Sequence, residues 1–323
     1  MSRYLVTGGA GYVGGVVAAR LLEAGHRVTV LDDLSTGFRE GVPAGAEFVQ
    51  GRIQDAAAVL DGGGFEAVLH FAASSQVGES VADPEKYWRN NVAGSLELVS
   101  AMREAGVRKL VFSSTAAVYG EPEAIPIAET ARTSPTSAYG ATKLAVDHLI
   151  TSEAIAHGLA AVSLRYFNVA GAVGAHGERH DPESHLIPLV LQAALGQRPH
   201  IAVFGDDYPT PDGTCVRDYI HVADLAEAHL LALTAAEPGE HLICNLGNGS
   251  GFSVREVIES VRRVTGREVP VVTAGRRPGD PAVLVASAAR ARQVLGWTPE
   301  RPDLDAIVAD AWAFTLNKNS DQQ

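Results

Sequence analysis

The stretch Gly8-Gly9-Ala10-Gly11-Tyr12-Val13-Gly14 constrains this chain more than any other. A short apolar run, Arg3-Tyr4-Leu5-Val6-Thr7, leads into it and reads as a buried strand. Val16, Val17, Leu21 and Leu22 follow with helical spacing, and Gly25 closes that helix. Val28-Thr29-Val30-Leu31 reads as the next strand, and Asp32 ends it, 18 residues past Gly14. A strand, glycine turn, helix and strand with an acid at that point form a dinucleotide-binding unit. The glycines let the backbone turn tightly and approach a pyrophosphate, and the helix N-terminus offers free N–H groups and a positive dipole end. A carboxylate at Asp32 accepts from ribose hydroxyls and repels a 2′-phosphate. The cofactor implied is NAD rather than NADP.

Strand and helix signals keep alternating. Glu47-Phe48-Val49-Gln50, Ala67-Val68-Leu69-His70-Phe71 and Lys109-Leu110-Val111-Phe112-Ser113-Ser114-Thr115 read as strands three to five, with a long helix over about 84–105. Ala161-Val162-Ser163-Leu164-Arg165-Tyr166-Phe167 is the sixth. This pattern predicts an α/β fold with a doubly wound parallel sheet and ligands at the strands' carboxyl ends, where Asp32, Phe71, Thr115 and Asn168 fall. After Asn168 the texture becomes loop-rich, with a helix from about Leu186, a turn-rich run over 201–213, a strand at 241–247 and a helix capped by Ser253. The expected division is a nucleotide-binding domain over 1–167 plus about 215–250, and a smaller α/β substrate domain over about 168–214 plus 251–316. The polar tail 317–323 is expected to be disordered.

Pro135 and Ser137 mark a helix start, with apolar positions at Leu144, Ala145 and Ile150. Tyr139 and Lys143, four apart, share a face of it. An ammonium beside a phenol favours the phenolate. Bringing a tyrosine pKa from about 10 to ~7 takes roughly 4 kcal/mol. On an isolated helix such a pair is usually a surface pair. Beside a dinucleotide turn it is a candidate base and its activator.

Composition narrows the functions. The chain has 323 residues, 46% of them hydrophobic, and a net charge of -12 from 26 basic and 38 acidic residues. No Lys/Arg block stands out, which disfavours nucleic acid and acidic membranes. The two cysteines, Cys215 and Cys244, lie in no ligand-spaced cluster. No apolar run reaches membrane-spanning length, and the expected location is the cytoplasm.

Ordered motifs then place the chain. They are Thr7-Gly8-Gly9-Ala10-Gly11-Tyr12-Val13-Gly14, Leu31-Asp32-Asp33-Leu34-Ser35-Thr36-Gly37, His70-Phe71-Ala72-Ala73, Val77-Gly78-Glu79-Ser80 and Asn90-Asn91-Val92. Phe112-Ser113-Ser114-Thr115-Ala116-Ala117-Val118-Tyr119-Gly120, Tyr139 with Lys143, Arg165-Tyr166-Phe167-Asn168, Tyr208-Pro209-Thr210, the run 213–222 and Arg276-Arg277-Pro278-Gly279-Asp280 complete them. With them the chain resembles the extended short-chain dehydrogenase/reductase family from about residue 3 to 315. Members of this family dehydrate, decarboxylate or epimerise nucleotide sugars. The dehydratases carry an Asp-Glu pair after the catalytic Ser/Thr, and the sugar-acid decarboxylases a Glu, where this chain has Ala116-Ala117. Elimination would lack its acid and base.

The resemblance therefore implies NAD-dependent interconversion of UDP-glucose and UDP-galactose by transient oxidation at sugar carbon 4. Epimerisation of a UDP-N-acetylhexosamine or UDP-uronic acid, or a non-catalytic NAD-dependent sensor, are the alternatives. The catalytic positions implied are Thr115, Tyr139 and Lys143. The cofactor contacts implied are Gly8, Gly11, Tyr12, Val13, Asp32, Asp33, Leu34, Ser35, Thr36, Gly37, Ile53, Phe71, Ala72, Ala73, Ser75, Asn90, Tyr139, Lys143 and Phe167. Those to the UDP-sugar are Thr115, Asn168, His185, Leu186, Ala202, Val203, Phe204, Arg217, Arg277, Asp280 and Leu284. Two departures stand out. Arg52 occupies a slot where the family usually has an acid that contacts adenine, and Ser75 replaces a lysine some members place near the phosphates. The family gives no precedent for a metal, and His70, His221, His176, His180 and His185 are expected to bind none. A homodimer through the helices over 91–105 and 139–157 is also implied.

Overall fold

The computed structural model describes residues 1–277 and 279–320. Six of the strands read from the sequence form at the expected places: β1 (Arg3–Thr7), β2 (Arg27–Asp32), β3 (Glu47–Gln50), β4 (Ala67–His70), β5 (Lys109–Thr115) and β6 (Ala160–Tyr166). With the strand His241–Leu246 they make one seven-stranded sheet. From one edge the order is His241–Leu246, β6, β5, β4, β1, β2, β3, and every pairing is parallel. The chain winds outward in opposite directions from β1, with Thr7 opposite Leu31 of β2 on one side and His70 of β4 on the other. That switch point opens a crevice at the carboxyl ends of β1 and β4.

Alternating side chains give the sheet two apolar faces. Tyr4, Val6, Val28, Val30, Leu69 and Val162 pack against α1 (Tyr12–Glu23) and the helix Val222–Ala232. Leu5, Leu31, Val68, Leu110, Phe112 and Ala161 pack on the other face against Leu98, Met102, Val146 and Ile150. The last four come from the helices Gly94–Glu104 and Ala138–His157.

A second core is built on the helices Leu186–Ala194, Val254–Thr265 and Leu304–Ser320. Beside it the strand Val216–His221 pairs with Asn168–Ala170, Gly251–Ser253 and Val283–Leu284. The helix Val222–Ala232 that follows this strand packs back on the first face of the large sheet. Ser253 caps its helix reciprocally: its Oγ accepts from Glu256 N at 3.0 Å, and the Glu256 carboxylate accepts from Ser253 N at 2.6 Å.

Two stretches differ from the sequence expectation. The helix over 84–105 is three consecutive pieces, with a π-turn at Trp88–Ala93 between α-helical turns. The tail expected to be disordered from 317 continues the helix Leu304–Ser320, which Leu304, Ile307, Val308 and Phe314 anchor by burial. Residues 321–323 of that tail lie outside the described residues. No described helix is long and apolar enough to cross a membrane.

Candidate active site

The glycine turn joins β1 to α1 where no side chain fits. Gly8 has φ +74°, and a Cβ there would stand 2.5 Å from Ala72 N. That closeness lets Phe71 N and Ala72 N both donate to Thr7 O, at 2.9 and 3.1 Å, and seals the ends of β1 and β4 together. A Cβ on Gly14 would lie 2.3 Å from Gly8 O. Gly11 precedes α1 in extended backbone and supplies no side-chain cap, which leaves the helix's first N–H groups without a side-chain acceptor. An anion of pyrophosphate type fits this end of α1.

Asp32 closes β2 in a buried position. Its Oδ2 accepts from Ala10 N at 3.0 Å and its Oδ1 from Leu34 N at 2.9 Å, which ties the acid to the turn. Burial raises its pKa, and those two amide bonds oppose the rise. Asp33, Ser35 and Thr36 are exposed on the loop that follows, Leu34 holds φ +60°, and Gly37 packs against Ala10 and Asp32. Ile53 is buried in the sheet's second face, and Arg52 beside it is exposed. These residues fit a dinucleotide: a turn open to phosphate, an acid at the ribose position and an apolar floor.

Beyond β4, Ala73 is half-buried and Ser75 exposed. Asn90 Nδ2 donates to Ser74 Oγ at 3.2 Å. The π-turn aims Asn91 inward. Its Oδ1 accepts from Ser74 N at 2.8 Å, and its Nδ2 donates to Ser74 O at 3.0 Å and to Thr142 Oγ1 at 3.1 Å. Asn91 thereby pins the loop after β4 to the Tyr139 helix. Sequence reasoning gave it no such role, and the interrupted helix that orients it has no local signal.

His70 is a buried neutral linker. Ser95 Oγ donates to Asn91 O at 2.5 Å, so it accepts from His70 Nε2 at 2.9 Å. That leaves His70 Nδ1 to accept from Thr7 Oγ1 at 2.6 Å. Burial and then the Lys143 charge lower its pKa to about 3.

The Tyr139 helix starts at Ser137, whose Oγ accepts from Gly140 N at 3.2 Å. Thr115, at the end of β5, is bonded to the Tyr139 phenol. The Lys143 side chain is 3% exposed, and its Nζ donates to Ser113 O at 2.7 Å and lies 4.7 Å from the Phe112 ring centroid. Burial lowers the Lys143 pKa to about 7, against the pull of Asp147. The Tyr139 pKa is raised by burial, and only the Thr115 hydrogen bond lowers it. The expected depression of Tyr139 by Lys143 is therefore not met in the protein alone, because the ammonium is turned to Ser113 and is itself only partly charged at neutral pH. One turn further on, Asp147 Oδ2 accepts from Arg165 Nε at 3.0 Å and Nη2 at 2.8 Å.

The other half of the crevice carries the remaining candidates. Phe167 and Leu284 pack on the small cluster Val118, Tyr119 and Ile127, and Leu284 stands opposite Arg217 across the strands. Arg217 pairs with Asp280, and the Arg277 guanidinium lies 3.9 Å over the Phe204 ring. Pro278 of the same motif lies outside the described residues. In the strand Ile201–Phe204, Ala202 and Phe204 are half-buried while Val203 is buried with Val190 and Leu191. The Val203 side chain therefore faces the core, and only its backbone is available to a ligand. Asn168 opens the strand beside Tyr219, and His185 precedes the helix that Leu186 begins.

The sequence profile of the NAD dependent epimerase/dehydratase family matches residues 4–247. The UDP-glucose 4-epimerase of Streptomyces lividans is 68% identical over 316 residues, 97% of this chain and 95% of that protein. A UDP-glucose 4-epimerase from Brucella ovis, solved in complex with NAD, superposes with a TM-score of 0.93 at 46% identity, covering 97% of this chain and 98% of that one. One from Stenotrophomonas maltophila, with bound NAD and formylated UDP-arabinopyranose, gives 0.95 at 41% identity, covering 99% and 100%. With its parallel sheet, glycine turn and Tyr139/Lys143 helix, the chain belongs to the NAD dependent epimerase/dehydratase family, on its UDP-glucose 4-epimerase branch.

Proposed function

We propose that this protein interconverts UDP-glucose and UDP-galactose through Thr115, Tyr139 and Lys143, with NAD as a cofactor that is not consumed. The observation that carries the reading is the meeting of the Tyr139 helix, the end of β5 and the glycine turn in one crevice, with Ala116 and Ala117 where an elimination would need carboxylates.

The glycine turn, the start of α1 and Asp32 would hold NAD, whose nicotinamide supplies hydride acceptance and return at sugar carbon 4 and, when oxidised, a positive charge. Tyr139 Oη takes the proton of the sugar 4-hydroxyl as carbon 4 is oxidised, and returns one as it is reduced from the opposite face. Thr115 Oγ1 donates to the phenolate and stabilises it. Tyr139 is protonated at neutral pH in the protein alone, so its proton leaves only against added positive charge. Arg217 and Arg277 would hold the diphosphate, for which paired guanidinium groups suit the oxygens. A tightly held UDP leaves the sugar free to turn over between the two half-reactions.

Trp88 and Leu96 on the Asn91 segment, Ile155 on the Tyr139 helix and Val81 on the short helix Val77–Ala82 are exposed apolar side chains. They favour a homodimer that buries this face, and the reading includes a cytoplasmic location. Incubation of purified protein with UDP-galactose tests the function: UDP-glucose should appear without added reductant. No change in the sugar refutes it. Turnover of UDP-N-acetylgalactosamine alone would move the assignment to the N-acetyl sugars, which Leu284 bears on.

A further inference from the structure

The loop between the hairpin strand His176–Gly177 and the helix Leu186–Ala194 carries Glu178, His180, Glu183 and His185. Each offers one imidazole nitrogen or carboxylate oxygen, and these four atoms lie within 4.8 Å of one another. His185 Nδ1 is 3.0 Å from Glu178 Oε1 and 2.9 Å from Glu183 Oε1. His180 Nδ1 is 3.6 Å from Glu178 Oε1 and 3.7 Å from Glu183 Oε2. The two imidazoles lie face to face at a tilt, with centroids 4.6 Å apart. Four ligand atoms about 2.0–2.2 Å from one ion stand roughly 3.3–3.6 Å apart in a tetrahedron. The four imidazole-to-carboxylate separations, in which Glu183 meets His185 through Oε1 and His180 through Oε2, run from 2.9 to 3.7 Å, close to that edge.

A salt-bridge cluster is the competing account, and it covers only part of the group. His185 Nδ1 lies within hydrogen-bond distance of both Glu178 Oε1, at 3.0 Å, and Glu183 Oε1, at 2.9 Å, so one N–H accounts for His185. It leaves His180 Nδ1, which is buried and has no hydrogen-bond partner among the described residues. Its distances to the two carboxylates are too long for hydrogen bonds. With neutral imidazoles the four side chains carry two negative charges, which one divalent cation cancels while using all four ligand atoms. Glu183 is set in place beforehand, since its Oε1 accepts from Ser184 N at 2.8 Å and His185 N at 2.9 Å.

We propose that Glu178, His180, Glu183 and His185 bind one divalent transition-metal ion, zinc being the best match to two imidazoles and two carboxylates at this spacing. The sequence reading expected no metal at these histidines. With four protein ligands the site is closed, so the ion is structural. It fixes a loop that touches both halves of the crevice. Arg179 lies 5.2 Å from the Phe314 ring and 5.9 Å from the Phe38 ring, and with Gly11, Tyr12 and Thr36 it lines a small cavity beside the glycine turn. The loop's other end is Leu186, a candidate for the sugar nucleotide.

The test measures metal directly and does not depend on turnover. Protein purified without a histidine tag is stripped with a chelator, dialysed, and titrated with zinc against a chromophoric competitor. One equivalent should bind per chain, and His180→Ala and Glu183→Gln should each weaken it by more than roughly tenfold. Cobalt in place of zinc should give the intense visible bands of a tetrahedral site. Circular dichroism verifies that the variants fold. If a variant fails to fold, the wild-type stoichiometry and cobalt spectrum still decide. Binding far below one equivalent, a six-coordinate cobalt spectrum, or a folded His180→Ala that binds zinc as tightly as wild type overturns the proposal.

Discussion

Replacing Asp147 by Asn should destabilise the protein and narrow its activity toward acid pH. The Arg165 and Asp147 side chains are 4% and 2% exposed, so the pair is cut off from solvent. A single oxygen, Asp147 Oδ2, takes Arg165 Nε at 3.0 Å, Arg165 Nη2 at 2.8 Å and Ser114 Oγ at 3.3 Å, while Oδ1 has no hydrogen-bond partner among the described residues. The remaining guanidinium contact is Nη1 to Tyr119 Oη at 3.1 Å, which is neutral. Removing the charge leaves a buried guanidinium uncompensated, which costs about 3–5 kcal/mol for such pairs. The same carboxylate pulls the Lys143 pKa up against burial. Without it that pKa falls below about 7, and the charged lysine survives only at lower pH. The alkaline limb of kcat/KM should therefore move to lower pH, while the acid limb stays in place. Denaturant unfolding measures the first effect and a pH–rate profile with UDP-galactose the second. In Asp147→Leu with Arg165→Met, most of the stability should return, because no charge is left buried, but the shifted limb should not. An Asp147→Asn protein within ~0.5 kcal/mol of wild type and with an unmoved alkaline limb would refute both the energetics and the role given to Lys143.

Tyr139→Phe should lower kcat by about 10²–10⁴-fold, the usual worth of a general base, with UDP affinity by calorimetry nearly unchanged; half of wild-type kcat would remove Tyr139 from that role. Asp32→Asn loses the charge and keeps an acceptor oxygen for only one of the Ala10 and Leu34 amides, so retention of NADP relative to NAD after reconstitution should rise, and an unchanged ratio would mean Asp32 does not select the nucleotide. Leu284→Ala should admit UDP-N-acetyl sugars and Leu284→Tyr exclude them, each by roughly 10–200-fold in relative kcat/KM, and three equal ratios would show that Leu284 does not gate the pocket. Gly8→Ala should cost several kcal/mol, from an added methyl 2.5 Å from Ala72 N and a φ of +74° that alanine resists; thermal unfolding near wild type would contradict that geometry.

What could be read in the sequence was whatever is local. The turn from Gly8 to Gly14 and the acid at Asp32 are set by neighbours along the chain, and the structure closes them with bonds from Asp32 to Ala10 and Leu34. The strand Ile201–Phe204 is hidden in a run rich in turn residues, although period two alone would put Val203 on the opposite face from Phe204. Asn91 was not legible. Its orientation depends on a π-turn, and that turn is held by Ser74 and Thr142, 17 residues before it and 51 after it. The polar run from Glu178 to His185 looked like solvated loop because polarity signals exposure only on average. The fold of the loop turns Glu178 and Glu183 inward to 10% and 8% exposure, beside a histidine nitrogen with no hydrogen-bond partner among the described residues.

The Tyr139 and Lys143 pair divides the same way. A spacing of four residues puts both on one face of the helix and gives the chemistry they can share. It does not give their charge. Lys143 is buried between the Phe112 ring and the Ser113 carbonyl, supplied by β5, and its ionisation is set by that burial and, against it, by Asp147 one turn further on, a carboxylate that also accepts from Arg165 on β6. Tyr139, raised by its own burial and lowered only by its bond to Thr115, needs a positive charge that this lysine does not supply in the protein alone. A dinucleotide carrying a cationic ring would supply it. The base would then be active only when the nucleotide is bound in its oxidised form, which ties proton removal to the presence of a hydride acceptor.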